Sequence, residues 1–551
     1  LSAAGAPTRP RAPALALDTL LAAALGALQT LAFVHTVAWA LPLATLAWLV
    51  GRLDAVSARR AAWLGGCYGS AWLAAGVWWL FISMHRYGGL PAPLAAGAVA
   101  LLASALSLYL ALACAAYARW RRGGATDALL FAALWLLAEL ARGVLFTGFP
   151  WVASGYAMVD APLAALAPWV GVYGLGALLA FAAAALARLV HTRGRGWGTA
   201  AAAAAVWLGA ALAGPGEFTR PAGTSSVALL QPNVPQDRKF DPEHLPQTLG
   251  WVARELVRAE ATLVVAPETA VPLLPSQLRD YAPGYWEGLE QHFAAPGRGA
   301  LVGVPLGDFD GGYTNSVAGL SADGAYRYDK WHLVPFGEFI PTGFRWFTEL
   351  MNIPLGDFAR GLPNPPSFRL AGQRIGPNIC YEDLFGEELA LRFADPATAP
   401  TLLANLSNIG WFGRTIAVDQ HLHISRMRSL ELQRAMLRAT NTGATAIVDH
   451  RGRVVAQLPP HTAGVLVGSV EGREGVTPYA WWAARAGLAP LWALGLAVAA
   501  ALSSHRVRAG GPARPARRRP PVNSPPCPRA RCAAPRQAAS SPRCSPSSRS
   551  S

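Results

Sequence analysis

The segment RIGPNICYEDLF, Arg374 to Phe385, runs from a short β-like stretch into a cysteine followed at once by Tyr381, Glu382 and Asp383. A strand that ends on a thiol belongs in a layered α/β domain, because such domains place their chemistry at strand ends and in the loops beyond them. Cys380 also stands apart from the other five cysteines. Cys527, Cys532 and Cys544 lie in a Pro-, Arg- and Ser-rich tail, and Cys67 and Cys114 lie in apolar runs, where a small buried residue is the usual explanation. No disulfide framework is indicated, and Cys380 becomes a candidate nucleophile.

Working outward, the region from about Ser225 alternates short β-like runs with helical patterns. The runs are VALLQPN, TLVVAPET, ALVGVPL, RIGPNICYED, TLLANLSN, ATAIVDHRGRVVAQL and GVLVGSV. The helical patterns are PEHLPQTLGWVARELVRAE and TIAVDQHLHISRMRSLELQRAMLRA. That alternation predicts an α/β domain over residues 217–477, long enough for a core of its own.

The rest of the chain is too apolar for an ordinary soluble enzyme: 53% of the 551 residues are hydrophobic and only 14% charged. Stretches of about 20 apolar residues predict seven membrane spans in residues 1–216, near 14–33, 37–51, 61–82, 92–117, 127–146, 162–187 and 198–214, and an eighth within 478–504, near 479–503. The first is followed directly by further spans, which is not the pattern of a cleaved signal peptide. Arginines gather in alternate loops: Arg52, Arg59 and Arg60, then Arg119, Arg121 and Arg122, then Arg188, Arg193 and Arg195. Positive loops stay cytoplasmic, so the N-terminus is expected inside and residues 217–477 outside, periplasmic in a cell with two membranes. Within the spans, Glu139 and Arg142 are three apart on one helix and are expected to pair, with contact between Arg142 and a lipid phosphate as the functional alternative.

The formal charge of +15 is mostly a property of the tail, since eleven arginines and no acids follow His505, leaving +4 for the remainder. Nothing in the folded part therefore calls for a nucleic-acid partner. Residues 505–551 lack hydrophobic periodicity and are expected to be disordered and incidental. Leu1 in place of Met suggests that the start is incomplete or misplaced.

Two more polar residues join Cys380 at strand ends. Glu268 closes VVAPET, and Lys330 lies in YRYDKWHLVPFGEF. A carboxylate, an ammonium and a thiol can serve as base, oxyanion stabiliser and nucleophile. Taken singly, each has a plain reading as a solvated turn residue, a surface lysine and an inert cysteine. The HLH at His421 and His423 lies in a helical pattern, where positions two apart face different ways, so no metal site is expected. The apolar loop PTGFRWFTELMNIPLGDF, with Phe344, Trp346, Phe347, Leu350 and Met351, suits either a core or a lid touching lipid.

APET, DKWHLVPFGEF and CYED, in that order and about 60 and 50 residues apart, resemble the Glu-Lys-Cys triad of the nitrilase, or carbon–nitrogen hydrolase, superfamily. With apolar spans on both sides, and with SMHRYGGLP, ELARGVLFTGFPW and RMRSLELQRAMLRATNTG, the chain resembles one membrane branch of it, the apolipoprotein N-acyltransferases, over about residues 14–503. The resemblance implies a polytopic membrane protein of about eight spans carrying an α-β-β-α nitrilase-like sandwich, in the inner membrane of a bacterium. It implies transfer of an acyl chain from a phospholipid to the α-amino group of a diacylglyceryl lipoprotein cysteine through a thioester, with no cofactor. Cys380 would be the nucleophile, Glu268 the base, Lys330 the oxyanion stabiliser and Glu338 a carboxylate orienting the lysine or thiol. Tyr381, Glu382, Phe240, Trp411 and Arg142 would bind substrate. Phe240 stands where the family usually has Trp after the Lys of PQDRKF, and Ile409 in NLSNIGWFG where it often has an acid or a small residue. A monomer is expected. A membrane-tethered amidase or nitrilase using water is the alternative, and a transporter or scaffold with a degenerate domain a more distant one.

Overall fold

A computed structural model describes residues 12–341 and 358–509, with side chains from 15 to 503 outside that gap. The five apolar residues of the expected lid, Phe344 to Met351, and all but the first few residues of the tail lie outside the described residues.

Apolar sequence becomes long helix in the N-terminal half, as it must where water cannot satisfy the backbone. Among the described residues, five stretches are long and apolar enough to cross a membrane: Leu15–Phe33, Thr36–Leu53, Ala92–Trp120, Asp127–Thr147 and Pro162–His191. Two further pairs, Ala58–Val77 with Leu80–Tyr87 and Pro478–Ala486 with Ala489–Ser503, qualify jointly but are bent by 60° and 89°. Trp197–Ala213 is apolar and shorter, at 17 residues. Each of the eight expected spans thus has a helix, two of them broken and one of them short. The expected continuous helix at 479–503 is corrected: Gly487, at φ 53°, ends Pro478–Ala486 before the last helix begins. Tyr479 in that short helix packs against Gly171, whose φ of 64° kinks Ala167–His191 and where an added Cβ would lie 2.4 Å from the tyrosine ring.

The described residues of the other half hold twelve strands: β1 (Thr219–Gln231), β2 (Leu263–Ala266), β3 (Gly299–Asp308), β4 (Gly312–Ser321), β5 (Tyr326–Asp329), β6 (Phe368–Leu370), β7 (Gln373–Ile379), β8 (Leu402–Ser407), β9 (Ala435–Thr440), β10 (Ala446–Val448), β11 (Val454–Gln457) and β12 (Gly464–Gly475). They form two six-stranded sheets of matching design, ordered β12-β1-β2-β3-β4-β5 and β11-β10-β9-β8-β7-β6. Each has a parallel trio at its centre, β1-β2-β3 in one and β7-β8-β9 in the other, flanked by antiparallel strands.

Period-2 alternation sorts the side chains into layers. Val227, Leu229, Val265 and Leu301 of one sheet meet Ile375, Leu406, Leu437 and Ile447 of the other to form the inner core. Ala228, Leu230, Val264 and Val302 point the opposite way, under the helices Leu245–Arg258 and Tyr285–Phe293. Leu403, Met436 and Val448 face outward from the second sheet beneath the helix Ala417–Leu432, in an apolar cluster continuous with the membrane helices. This is the expected α-β-β-α sandwich, and one of its outer layers is shared with the membrane half.

The run read as one helix from Thr415 to Ala439 is corrected: it breaks at Gln433, at φ 46°, and continues as β9. A left-handed residue stops the helix. Helix Ala417–Leu432 is polar in composition yet almost wholly buried, so its polar groups find partners across the seam. Gln420 accepts from the indoles of Trp79 at 3.1 Å and Trp151 at 2.8 Å, and donates to the Gly76 carbonyl at 3.0 Å. Glu431 accepts from the Val172 N–H at 2.6 Å, and His423 Nε2 lies 3.1 Å from the Val34 carbonyl.

Candidate active site

Strand ends from both sheets converge on one buried cluster. Glu268 follows β2, Lys330 follows β5 and Cys380 follows β7. Cys380 sits at φ 50°, a left-handed conformation that a side chain bearing Cβ adopts at a cost, held here by bonds to its carbonyl from Asn405 Nδ2 at 3.1 Å and His421 Nε2 at 3.2 Å.

Lys330 is 1% exposed and lies 2.9 Å from the Glu338 carboxylate and 3.8 Å from that of Glu268. Asn315, from β4, donates to both carboxylates at 2.7 Å, and the backbone N–H of Asn408 gives Glu268 a second bond at 2.7 Å. Glu338 also accepts from the Val334 N–H at 2.8 Å. Fixed donors on every carboxylate oxygen make this a rigid site.

The electrostatics follow from burial in a crowded charge set. Burial alone would lower the Lys330 pKa, but Glu338 and then Glu268 overcome it and hold the ammonium charged beyond its ordinary range. Burial, reinforced by the Glu268 charge and opposed by Lys330, pushes the Cys380 thiol up to about 12. The resting nucleophile is therefore a neutral thiol that needs a base at the moment of attack. Ser407, whose buried hydroxyl has no nitrogen or oxygen partner among the described residues, exerts a weaker pull towards the thiolate.

The sequence had brought Glu268, Lys330, Cys380 and Glu338 forward, and the fold brings all four together. The five expected substrate-binding residues fare differently. Glu382 has its oxygens engaged by Tyr328 Oη at 2.5 Å and by the N–H groups of Ile379, Trp331 and His332 at 2.7 to 3.1 Å. It ties the lysine loop to the cysteine loop, so its role is corrected to that of a brace. Tyr381 is buried and donates to the Gly148 carbonyl at 3.1 Å, joining the cysteine loop to the membrane half. Trp411 packs edge-on to Tyr87, and Phe240 is 47% exposed. Arg142 is corrected too: fully buried, it pairs with Glu139 at 3.6 Å and donates to the carbonyls of Phe149 and Trp151, which leaves no surface for a lipid phosphate.

Three participants were missed. Lys239, in PQDRKF, is 3% exposed and donates to the Glu268 carbonyl at 3.0 Å. Burial lowers its pKa to about 8, against the opposing charges of Glu268 and Cys380. Asn315 was hidden in GGYTNSVAGLS, whose glycines and polar residues gave no strand signal. Gly303, in β3, lies where a Cβ would come within 2.2 Å of the Pro267 carbonyl and 2.7 Å of Glu268 Cα. Gly303→Ala is accordingly expected to displace the Glu268 backbone and lower turnover by about 10²-fold, with normal accumulation of the protein in membranes; unchanged turnover would show that the position of Glu268 is not critical.

Behind Cys380, Asp383 accepts from His421 at 2.9 Å, from Arg438 at 3.2 Å and from Ser425. Burial opposes its charge, but His421 and Arg438 prevail and keep its pKa below the usual carboxylate range. His421 and His423 thus serve different partners on different faces. Among the described residues no three His, Cys, Asp or Glu side chains are grouped to hold a metal ion.

Comparison with known proteins covers both halves. The model of the apolipoprotein N-acyltransferase N-terminal domain matches residues 25–185, and that of carbon–nitrogen hydrolases matches residues 226–479. The apolipoprotein N-acyltransferase of Verminephrobacter eiseniae is 56% identical over 473 residues, covering 81% of this chain and 87% of its own. Its namesake in Ralstonia nicotianae is 46% identical, over 89% of this chain and 94% of its own. The Bordetella bronchiseptica namesake is 44% identical, over 89% and 98%.

Proposed function

The chain belongs to the apolipoprotein N-acyltransferases, and on that premise we propose that Cys380 carries the acyl chain as a thioester between a phospholipid donor and a lipoprotein amine. The observation that supports it most is a neutral thiol, a buried carboxylate and a charged buried lysine meeting at strand ends in a domain seated on membrane helices.

In the first half-reaction Glu268 takes the thiol proton as Cys380 Sγ attacks the ester carbonyl. Lys330 stabilises the oxyanion, and Glu338 and Asn315 hold the lysine and the base in register. Collapse breaks the ester C–O bond, and Glu268 returns the proton to the departing lysophospholipid oxygen. In the second, the α-amino group of an S-diacylglyceryl-cysteine attacks the thioester, Glu268 accepts the ammonium proton, and Cys380 leaves as thiol once that proton is returned. Lys239 fixes the backbone of the base from behind. The thioester is suited to the task because thiolate leaves more readily than alkoxide.

The competing hydrolase would discharge the same thioester to water. A bound amine gains proximity that solvent lacks, so a diacylglyceryl peptide with a free α-amine is expected to discharge acyl-enzyme at least about 10²-fold faster than buffer. Equal discharge by buffer alone would favour the hydrolase.

This is a bacterial membrane protein. Our reading places it in the inner membrane as a monomer: residues 1–216 and 478–504 in the bilayer, residues 217–477 in the periplasm, and 505–551 as an appended tail. The alternate arginine-rich loops support that orientation. A reporter fused after Gly223 is expected to behave as periplasmic and one after Gly124 as cytoplasmic; the reverse result would turn the topology over.

A further inference from the structure

The helices that carry the catalytic domain at one end hold a second, basic cavity at the other. It has a volume of about 490 Å³ and lies where the first turn of Asp127–Val144, the last turns of Ala167–His191 and the first turn of Trp197–Ala213 meet. Val172, near the start of the middle helix, bonds to Glu431 of the catalytic domain. Sixteen residues later on that helix, about 24 Å along its axis, Arg188 lines the cavity.

The cavity is polarised along the helix axes. Phe181 and Arg188 are seven residues apart and share one helix face, about 10 Å from each other along the axis. The apolar ring and the guanidinium thus mark two ends of the lining. Arg195 and Thr199 add a second cation and a hydroxyl to the lining, and Trp197, 71% exposed, stands beside them in sequence in the manner of an interfacial aromatic.

The cationic end has unused capacity. Arg188 is steadied by donating to the Gly123 carbonyl at 2.7 Å, while its buried Nε has no acceptor, and neither Arg188 nor Arg195 is paired with a carboxylate among the described residues. Asp127, next to the lining residue Thr126, is taken up by the N–H groups of Arg122 and Gly123. Helix Trp197–Ala213 begins at Gly196 with no side-chain cap, and the N–H groups of Gly198 and Thr199 have no acceptor among the described residues. Two cations without a carboxylate partner among the described residues and an uncapped helix start beside apolar lining are complementary to one chemistry: a phosphate group with hydrocarbon attached.

We propose that this cavity binds one anionic phospholipid in the leaflet opposite the catalytic domain, with its phosphate on Arg188, Arg195 and the first turn of Trp197–Ala213 and its acyl chains against Phe181 and Leu129. The site is separate from the acyl donor site at Cys380. It anchors the last helix before the catalytic domain, the short Trp197–Ala213, at its far end.

The test uses the full chain, delipidated in neutral detergent and mixed with equal amounts of phosphatidylglycerol and phosphatidylcholine, with retained lipid read by native mass spectrometry. Wild type should retain phosphatidylglycerol in about tenfold preference. The preference should persist in Cys380→Ala and in the doubly substituted Arg188→Lys, Arg195→Lys chain, and vanish in Arg188→Gln, Arg195→Gln. Because the Arg195 side chain makes no bond among the described residues whose loss could unfold the protein, Arg195→Glu alone should also abolish it. No preference in wild type, or its survival in Arg195→Glu, would overturn the proposal. Loss of the preference on adding 10 mM inorganic phosphate would do so as well, since it would mark the site as one for free phosphate.

Discussion

Cys380→Ala is expected to leave no measurable acyl transfer, a loss of at least about 10³-fold, because no other residue in the cluster can carry the acyl group through two half-reactions. The fold should survive the change. Alanine meets the same φ of 50° that cysteine already occupies, and the bonds from Asn405 and His421 are to the backbone carbonyl, which the substitution leaves in place. The measurement is transfer of a labelled acyl chain to a diacylglyceryl peptide by membranes containing matched amounts of each protein. Residual transfer within tenfold of wild type would remove Cys380 from the pathway.

Glu268→Gln should cost about 10² to 10⁴-fold, and its pH dependence is more telling than its size. With the thiol held up to about 12 by burial, almost none is ionised at neutral pH. Without a base, the variant must draw on that small thiolate fraction, which grows about tenfold per pH unit below the thiol pKa. Its residual rate should therefore climb steeply from pH 7 to 9, whereas the wild-type rate, which draws on Glu268 as the base and not on the thiolate fraction, should change little over the same interval. A flat profile in the variant would mean that the proton leaves by another route.

The contrast between the two halves shows what the sequence could and could not reveal. Membrane helices were readable because lipid demands long apolar runs, and the cluster because Glu268, Lys330 and Cys380 each lie in a short, distinctive string at a strand end. The breaks were less legible. Gly487 interrupts an apolar run without altering its hydropathy, so Pro478–Ala486 and the last helix read as one. β9 read as helix because Arg438 within it and Arg434 just before it, both buried, gave the run the polar pattern of a helix surface. Those arginines are satisfied by the carbonyl of Pro400 and by Asp383, partners far away in sequence.

The same reasoning explains the site residues that were missed or misassigned. Glu382 and Arg142 look like ligands for a substrate in a linear string, and only the folded chain shows Glu382 held by Tyr328 and three N–H groups, and Arg142 fully buried beside Glu139 with bonds to two carbonyls. Lys239 and Asn315 act through Glu268, about thirty and forty-five residues away in the chain. Spacing along a sequence carries no sign of such contacts.

The account stands on a covalent acyl-enzyme, and the wild-type protein itself gives the most direct test. Purified protein incubated with a defined phospholipid in the absence of any amine acceptor should gain the mass of one acyl chain, on the peptide containing Cys380, and lose it on treatment with neutral hydroxylamine, which cleaves thioesters. An unmodified protein after turnover-competent incubation, or an acyl mass on another residue, would contradict it.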